Sequence, residues 1–189
     1  MLFAILLQIL VFIFVFIIWA AMMYTFWLTL FYPPFVPTVN KKVLSNIIEF
    51  LEKNPHIDMF CEPGCGFAGV SKEISKSFPK IKVLAIEYNF FIYLLAKILL
   101  KLSNSKVEIV HANFLKYDLK KKRKNKEILI YCYLLPELMD LAMKKGKFED
   151  AMVMTLDFRI TGQNPEYISQ IGNTGFQKQV FLYNLKTEL

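Results

Sequence analysis

The order of apolar and polar positions divides the chain at about residue 40. From Leu2 to Tyr32 the run LFAILLQILVFIFVFIIWAAMMYTFWLTLFY is interrupted by only Gln8, Thr25 and Thr29 as clearly polar residues. It exceeds the ~20 residues with which a helix crosses a bilayer. Trp19, Tyr24, Trp27 and Tyr32 gather in its C-terminal half, where amphipathic rings favour the headgroup level. This pattern predicts a membrane span over residues 3–25 and then an interfacial turn, in an anchor segment of residues 1–30. A cleaved signal peptide competes with that reading, but it needs a basic n-region and an apolar core of ~7–15 residues. Here no basic residue precedes the core, the core is too long, and Ala20-Ala21 is the one weak cleavage site. A buried core helix is the third option, and a helix apolar on all sides would need a far larger protein to cover it.

Beyond this segment the period changes. PPFVPT at 33–38 ends the helix, because proline has no N–H to continue it and restricts the residue before it. Thr38 then suits the N-cap of a helix over about residues 39–53, in which Val43, Leu44, Ile47, Ile48 and Leu51 recur at helical spacing. There follow a short apolar run, HIDMFCE, a glycine-rich stretch, CEPGCGFAGV, and a polar helical stretch through about Ser77. KVLAIEYN reads as a compact strand ending in an acid, FFIYLLAKILLKL as a helix, and VEIVHANF as another strand. After the loop KKKRKNK come the apolar run EILIYCYLL, broken by Pro136, the helix ELMDLAMKK, and two further strands in AMVMTLDFRI and KQVFLYNL. Strands alternating with helices predict a Rossmann-like α/β fold over residues 31–189, with a mostly parallel sheet and helices on both faces.

Composition sharpens the division. The hydrophobic fraction is 55% and the mean hydropathy +0.37, and the excess lies at the front. Residues 1–40 carry no Asp, Glu, Lys or Arg, so the net charge of +7 and pI of 9.2 arise wholly from Lys41 onward. Such a balance suits an anionic membrane surface or an acidic partner. Lys41 and Lys42 directly follow the apolar segment, so the positive-inside bias places the C-terminal domain in the cytoplasm of a single-pass membrane protein. The run Lys120–Lys126 lacks interleaved aromatic residues and reads as a solvated loop, so no nucleic acid is expected. Cys61, Cys65 and Cys132 are too few and too irregular for a disulfide framework and read as reduced thiols. Cys61 and Cys65 have no second Cys or His pair at ligand spacing, with only His56 and His111 elsewhere, so no metal is expected.

The chemistry concentrates at CEPGCGFAGV. In open α/β sheets ligands sit at the carboxyl ends of the strands, and the first strand–helix turn approaches them most closely. Gly64 and Gly66 remove the Cβ atoms that would block that approach. The spacing from Glu62 to Gly69 is neither G-x-G-x-x-G nor a P-loop, since no glycine stands at 61 and no Gly-Lys-Ser/Thr follows. The carboxylate of Glu62 would repel a pyrophosphate and tolerate an amino group or a sulfonium. Glu87, ending the next strand, can accept both hydroxyls of a ribose, and the amide of Asn113, after the third strand, suits an adenine edge.

EPGCGFAG, AIEYN, HANF and YLLPELM, in that order, resemble the cofactor motifs of the class I S-adenosylmethionine-dependent methyltransferases. With PPFVPT ahead of them and YCYLLPELM in the fourth-strand position, they are similar to the membrane-anchored protein-lysine methyltransferases. Eukaryotic members of that family modify mitochondrial carrier and ATP-synthase subunits, and it has archaeal relatives. The resemblance covers about residues 31–185. It implies S-adenosyl-L-methionine as cofactor, with Glu62, Gly64 and Gly66 along its methionine portion, Glu87 on the ribose, Asn113 and the adjacent Phe114 by the adenine, and Thr38 closing over the amino-acid end. Two positions depart from the pattern: Ala68 stands where the third glycine is usual, and Asn113 where an acid is usual.

Methyl transfer from a sulfonium is an in-line displacement, so alignment of donor and nucleophile is the main requirement. A lysine acceptor must also shed its proton, which burial and aromatic rings promote. Tyr131, Tyr133 and Glu137, around the end of the fourth strand, are the catalytic candidates. Against them, the two tyrosines alternate with Cys132 as strand residues would, and Glu137 fits the first turn of a helix begun at Pro136. His111 reads as structural, and Asp157 and Arg159 fall late on a strand near the same end. Together these features predict a membrane-anchored methyltransferase acting on a protein lysine in or near the bilayer. The alternatives are a lipid or quinone-like acceptor and a degenerate fold that only binds.

Overall fold

The computed structural model describes residues 2–31, 41–124, 126–171 and 178–186, which form two compact units divided after Phe35. The N-terminal unit contains one helix, α1, Leu2–Phe31. Its 23-residue stretch Ile5–Trp27 reaches a mean hydropathy of 2.9 over an 18-residue window, none of which is buried, and is long and apolar enough to cross a membrane. The interfacial turn expected after residue 25 is absent, because no glycine or proline interrupts the helix before Pro33. Thr25 stays helical by donating its hydroxyl to the Met22 carbonyl at 2.8 Å, so that hydroxyl needs no solvent partner.

The second unit is built on a seven-stranded sheet. In chain order its elements are α2 (Lys41–Lys53), β1 (Met59–Pro63), α3 (Gly69–Ser77), β2 (Lys82–Glu87), α4 (Phe90–Leu102), β3 (Glu108–His111), α5 (Leu119–Arg123), β4 (Ile128–Cys132), α6 (Pro136–Lys144), β5 (Met152–Leu156), β6 (Tyr167–Ile171) and β7 (Lys178–Asn184). The strand order is β3-β2-β1-β4-β5-β7-β6. The first five strands are parallel, and β7 enters antiparallel between β5 and β6. This is the predicted Rossmann-like, mostly parallel sheet.

β1, β4 and β5 are buried at every position, which is why they read as continuous apolar runs rather than alternating ones. One face packs Phe60, Leu129 and Met154 against Val43, Ile47 and Leu51 of α2 and Val70 and Ile74 of α3. The other packs Cys61, Ile130 and Val153 against Met139 and Ala142 of α6, with Leu119 and Phe148. Helix starts follow capping chemistry. The Asn89 side chain accepts from the Phe91 and Ile92 N–H groups at 3.0 and 3.2 Å to open α4, and Pro136 takes the first position of α6.

Three expectations need correction. The Lys120–Lys126 loop is partly the short helix α5, capped by the Asp118 carboxylate on the Lys121 N–H at 2.9 Å. Its cations are held by acids: Lys120 by Glu149, Lys122 by Glu108 and Arg123 by Asp150. The strand β6 was not foreseen. Finally, the fourth strand ends at Cys132, so Tyr133 lies just past it. The helix over 39–53 is described from Lys41, and its expected N-cap Thr38 lies outside the described residues.

Candidate functional site

The carboxyl ends of β1, β2, β3 and β4 bring most of the candidate residues to one edge of the sheet. After Pro63 the chain turns back onto β2, with the Gly64 and Cys65 N–H groups both donating to the Ile86 carbonyl at 2.8 and 3.1 Å. Gly64, Gly66 and Ala68 are left-handed, at φ 67°, 56° and 55°. Glycine adopts that region without penalty, and a Cβ on Gly64 would also come within 3.1 Å of the Leu134 side chain. The loop is thus closed against the segment linking β4 to α6. Ala68, fully buried, holds the same conformation at a cost of ~1–2 kcal/mol and immediately precedes α3.

Two acids flank this loop. Glu62 is 7% exposed, and its Oε2 accepts from the Ser71 N–H at 2.9 Å and from the Ser71 hydroxyl. Burial is the largest influence on it; the Ser71 bonds oppose burial, nearby Glu87 adds to it, and the carboxyl is pushed up to about 7. Glu87 is 8% exposed, its Oε2 accepting from the Gly66 N–H at 2.9 Å and its Oε1 from the Asn89 N–H at 2.7 Å. Burial raises its pKa too, against those backbone bonds. Ser71 escaped the sequence reading, since a serine in a polar helical stretch nine residues from its partner carries no signal.

Asn113 turns its Oδ1 to the Leu115 N–H at 2.9 Å, forming the turn after β3. Phe114 is buried and packs its ring on Phe148 at 6.1 Å between centroids. Tyr131 is buried on β4, on the face that carries α2 and α3. Parallel pairing of Cys61 with Ile130 brings Glu62 and Tyr131 alongside one another. Among the described residues the Tyr131 hydroxyl has no hydrogen-bond partner, and burial, with Glu62 beside it, drives its pKa well up. Leaving such a hydroxyl unpaired costs roughly 1–3 kcal/mol.

Tyr133 is half-buried, stacked on Phe158 with centroids 5.9 Å apart, and the Lys178 ammonium lies 5.4 Å from its ring centre. Lys178 is in turn 3.7 Å from the Asp157 carboxylate. Glu137 is exposed in the first turn of α6, the position that favours the helix dipole. His111 bonds the Tyr88 carbonyl at 2.9 Å and packs between Phe90 and Tyr93, a structural placement. Arg159 lies over the Phe181 ring at 5.1 Å, away from the Tyr133 cluster's own contacts. All three cysteines are free and buried. Burial pushes the Cys132 thiol up to about 12 and raises Cys61 and Cys65 as well. Among the described residues no three His, Cys, Asp or Glu side chains gather as a metal-binding group.

No protein-family model matches the chain, and no curated protein matches it. Solved structures do. An RNA methyltransferase from Salinibacter ruber, in complex with S-adenosyl-L-homocysteine, superposes with a TM-score of 0.64 at 18% identity, covering 82% of this chain and 96% of its own. The human methyltransferase 10 domain containing protein gives 0.60 at 11% identity, covering 80% and 84%. TrmK from M. capricolum, with S-adenosyl-homocysteine, gives 0.56 at 12% identity, covering 81% and 73%. The sheet that carries Glu62, Glu87 and the left-handed loop between them therefore has the Rossmann-like fold of these methyltransferases.

Proposed function

We propose that the chain is a membrane-anchored methyltransferase that uses S-adenosyl-L-methionine and methylates a lysine of a protein at or near the bilayer. The observation that carries this reading is the pair of buried carboxylates, Glu62 and Glu87, placed around a left-handed loop, with no buried Lys or Arg among the described residues. Two desolvated acids in one site favour a cationic ligand, and the left-handed turn at Gly64 and Gly66 carries the loop between them. The unpaired Tyr131 hydroxyl beside Glu62 is a further sign that the site lacks a polar partner.

When bound, S-adenosylmethionine supplies an electrophilic methyl group on a sulfonium sulfur. Glu87 would then accept ribose hydroxyls with the lone pairs that its two backbone bonds leave free, and Glu62 would face the amino-acid end, with Thr38 as its cover. Asn113 and Phe114 would border the adenine. Tyr133, beside the end of the fourth strand, would hold the acceptor amine by cation–π attraction where Lys178 now lies over its ring. Tyr131 is too deeply buried to touch an acceptor and acts as a positioning residue through Glu62. Glu137, exposed on α6, borders the path of the incoming chain.

RNA is the second reading. The similar protein from Salinibacter ruber is an RNA methyltransferase, and this chain has a cleft of about 370 Å³ lined by Lys116, Lys120, Arg123, Lys145 and Lys147 with Asp118 and Glu149. Incubating the full chain in native membranes with methyl-labelled cofactor, then separating protein, lipid and RNA, decides among acceptors. Label on protein lysine is expected. Label confined to RNA or to extractable lipid would overturn the lysine acceptor, and absence of cofactor binding by calorimetry would overturn the enzyme.

A further inference from the structure

In the second unit, helix α4 departs from an ordinary soluble surface. Its 13 residues bury only Ala96 and Leu100, while Leu94, Leu95, Ile98, Leu99 and Leu102 are 41%, 49%, 48%, 49% and 79% exposed. At 3.6 residues per turn these five form one continuous arc of about 140°, on the side turned away from the two buried positions. Isolated exposed apolar residues are unremarkable on a soluble domain, but a contiguous patch marks an interaction surface.

The charges around the arc choose its occupant. Residues 90–102 contain Lys97 and Lys101 and no Asp or Glu. On the same helical projection both lysines fall at one border of the arc, next to Phe90, itself 45% exposed. The Lys97 ammonium already lies along an aromatic stem, 3.2 Å from the Tyr93 hydroxyl. Lysines at such a border sink their methylenes into apolar surroundings and keep their heads in water. An acid-free cationic border beside an apolar arc is complementary to an anionic lipid surface. The same chain carries a 23-residue stretch suited to spanning a bilayer, and a tether raises the effective concentration of lipid so that a weak second contact suffices.

We propose that α4 is a second membrane contact, lying in the plane of the interface with its apolar arc among the acyl chains and Lys97 and Lys101 on anionic headgroups. The proposal rests on the reading of α1 as a membrane anchor. Its consequence reaches the candidate site. α4 is capped by Asn89, whose N–H is bonded to Glu87, so a helix held at the surface fixes the height and tilt of the Glu87 end of the sheet above the bilayer. Acceptors close to the membrane plane are then favoured over those further out.

The test uses the full chain in vesicles of phosphatidylcholine and phosphatidylserine, with an environment-sensitive fluorophore on one introduced cysteine. The native thiols are buried, so labelling is selective. Leu99→Cys reports on α4, Phe14→Cys on α1 and Glu52→Cys on an exposed position of α2. Acyl-chain-brominated lipid is expected to quench Leu99→Cys and Phe14→Cys by roughly twofold or more and to leave Glu52→Cys unchanged. Adding Lys97→Glu and Lys101→Glu, or omitting phosphatidylserine, should remove at least about half of the quenching at residue 99. Quenching at 14 with none at 99 overturns the α4 contact and leaves the anchor standing; none at either position overturns both. A residue-99 probe shielded from aqueous iodide yet untouched by brominated lipid shows that protein covers the arc, and also overturns the proposal.

Discussion

Glu62 and Glu87 end neighbouring parallel strands on one face of the sheet, both buried, yet they are bound into the chain differently. Glu62 collects both of its bonds on one oxygen from a single residue, Ser71, in the first turn of α3. Glu87 divides its bonds between the Gly66 N–H and the Asn89 N–H, joining the apex of the loop to the cap of α4. Glu62 therefore fastens a helix start through one oxygen, whereas Glu87 ties two segments together through both. The contrast teaches that two equally buried acids can be anchored in different ways, one at a single residue and one across two segments.

The largest effect expected from this contrast is on pH. The Glu62 carboxyl has an ordinary value of 4.5 and is held at about 7 by burial in the folded protein. Between those values the folded state binds a proton that the unfolded state does not, so its contribution is fully present below pH 4.5 and is lost as pH rises through 7. The loss is of order 3 kcal/mol across that window, and chemical denaturation of the full chain in detergent micelles, followed by circular dichroism, measures it. Glu62→Gln should flatten the slope, and an unchanged slope would place the titrating group elsewhere.

Next comes the truncation Glu62→Ala, which leaves the Ser71 N–H and hydroxyl unpaired and should cost about 2 kcal/mol, whereas Glu62→Gln retains an acceptor for Ser71. Equal stability of the two variants near pH 5 would break the assignment of Glu62 as the clamp on α3. On the other side of the comparison, Glu87→Ala should weaken S-adenosylmethionine binding at least tenfold, ~1.4 kcal/mol, measured by calorimetry. Unchanged affinity would remove Glu87 from the ribose. The smallest effect is at Ala68→Gly, which relieves a left-handed alanine and should stabilise by up to about 1 kcal/mol, with a matching rise in denaturant midpoint. A loss of stability there would show that the Ala68 methyl, in its buried cluster, contributes more through packing than it costs in strain.

Most of the fold was legible because its helices and strands differ in period. α3, α4 and α6 lie where the spacing put them, and β1, β2, β4, β5 and β7 are apolar enough to stand out. β6 did not stand out because it is an edge strand with Tyr167 and Ile168 turned to solvent, so neither a buried run nor a clean alternation marks it. α5 was hidden since a run of lysines has no apolar period; its cap and its partners Glu108, Glu149 and Asp150 are distant in sequence or invisible to periodicity. At the site, the glycines and the two acids announced themselves by position. The partners of those acids, and the contact of Tyr133 with Phe158 and Lys178, depend on tertiary placement and left no trace in the spacing. The sequence marked α4 only as a helix, because an apolar helix looks alike whether one side or every side is covered.

The insertion of β7 between β5 and β6 orders events during biosynthesis. β6 emerges from the ribosome before the strand that pairs with it, and β5 presents an unpaired edge of five buried residues until β7 arrives. During that interval the nascent chain carries an open apolar ladder of the kind that recruits foreign strands. A premature stop ahead of residue 178 therefore removes two strands from the sheet rather than one, and quality-control proteases meet a chain whose sheet ends in the bare edge of β5.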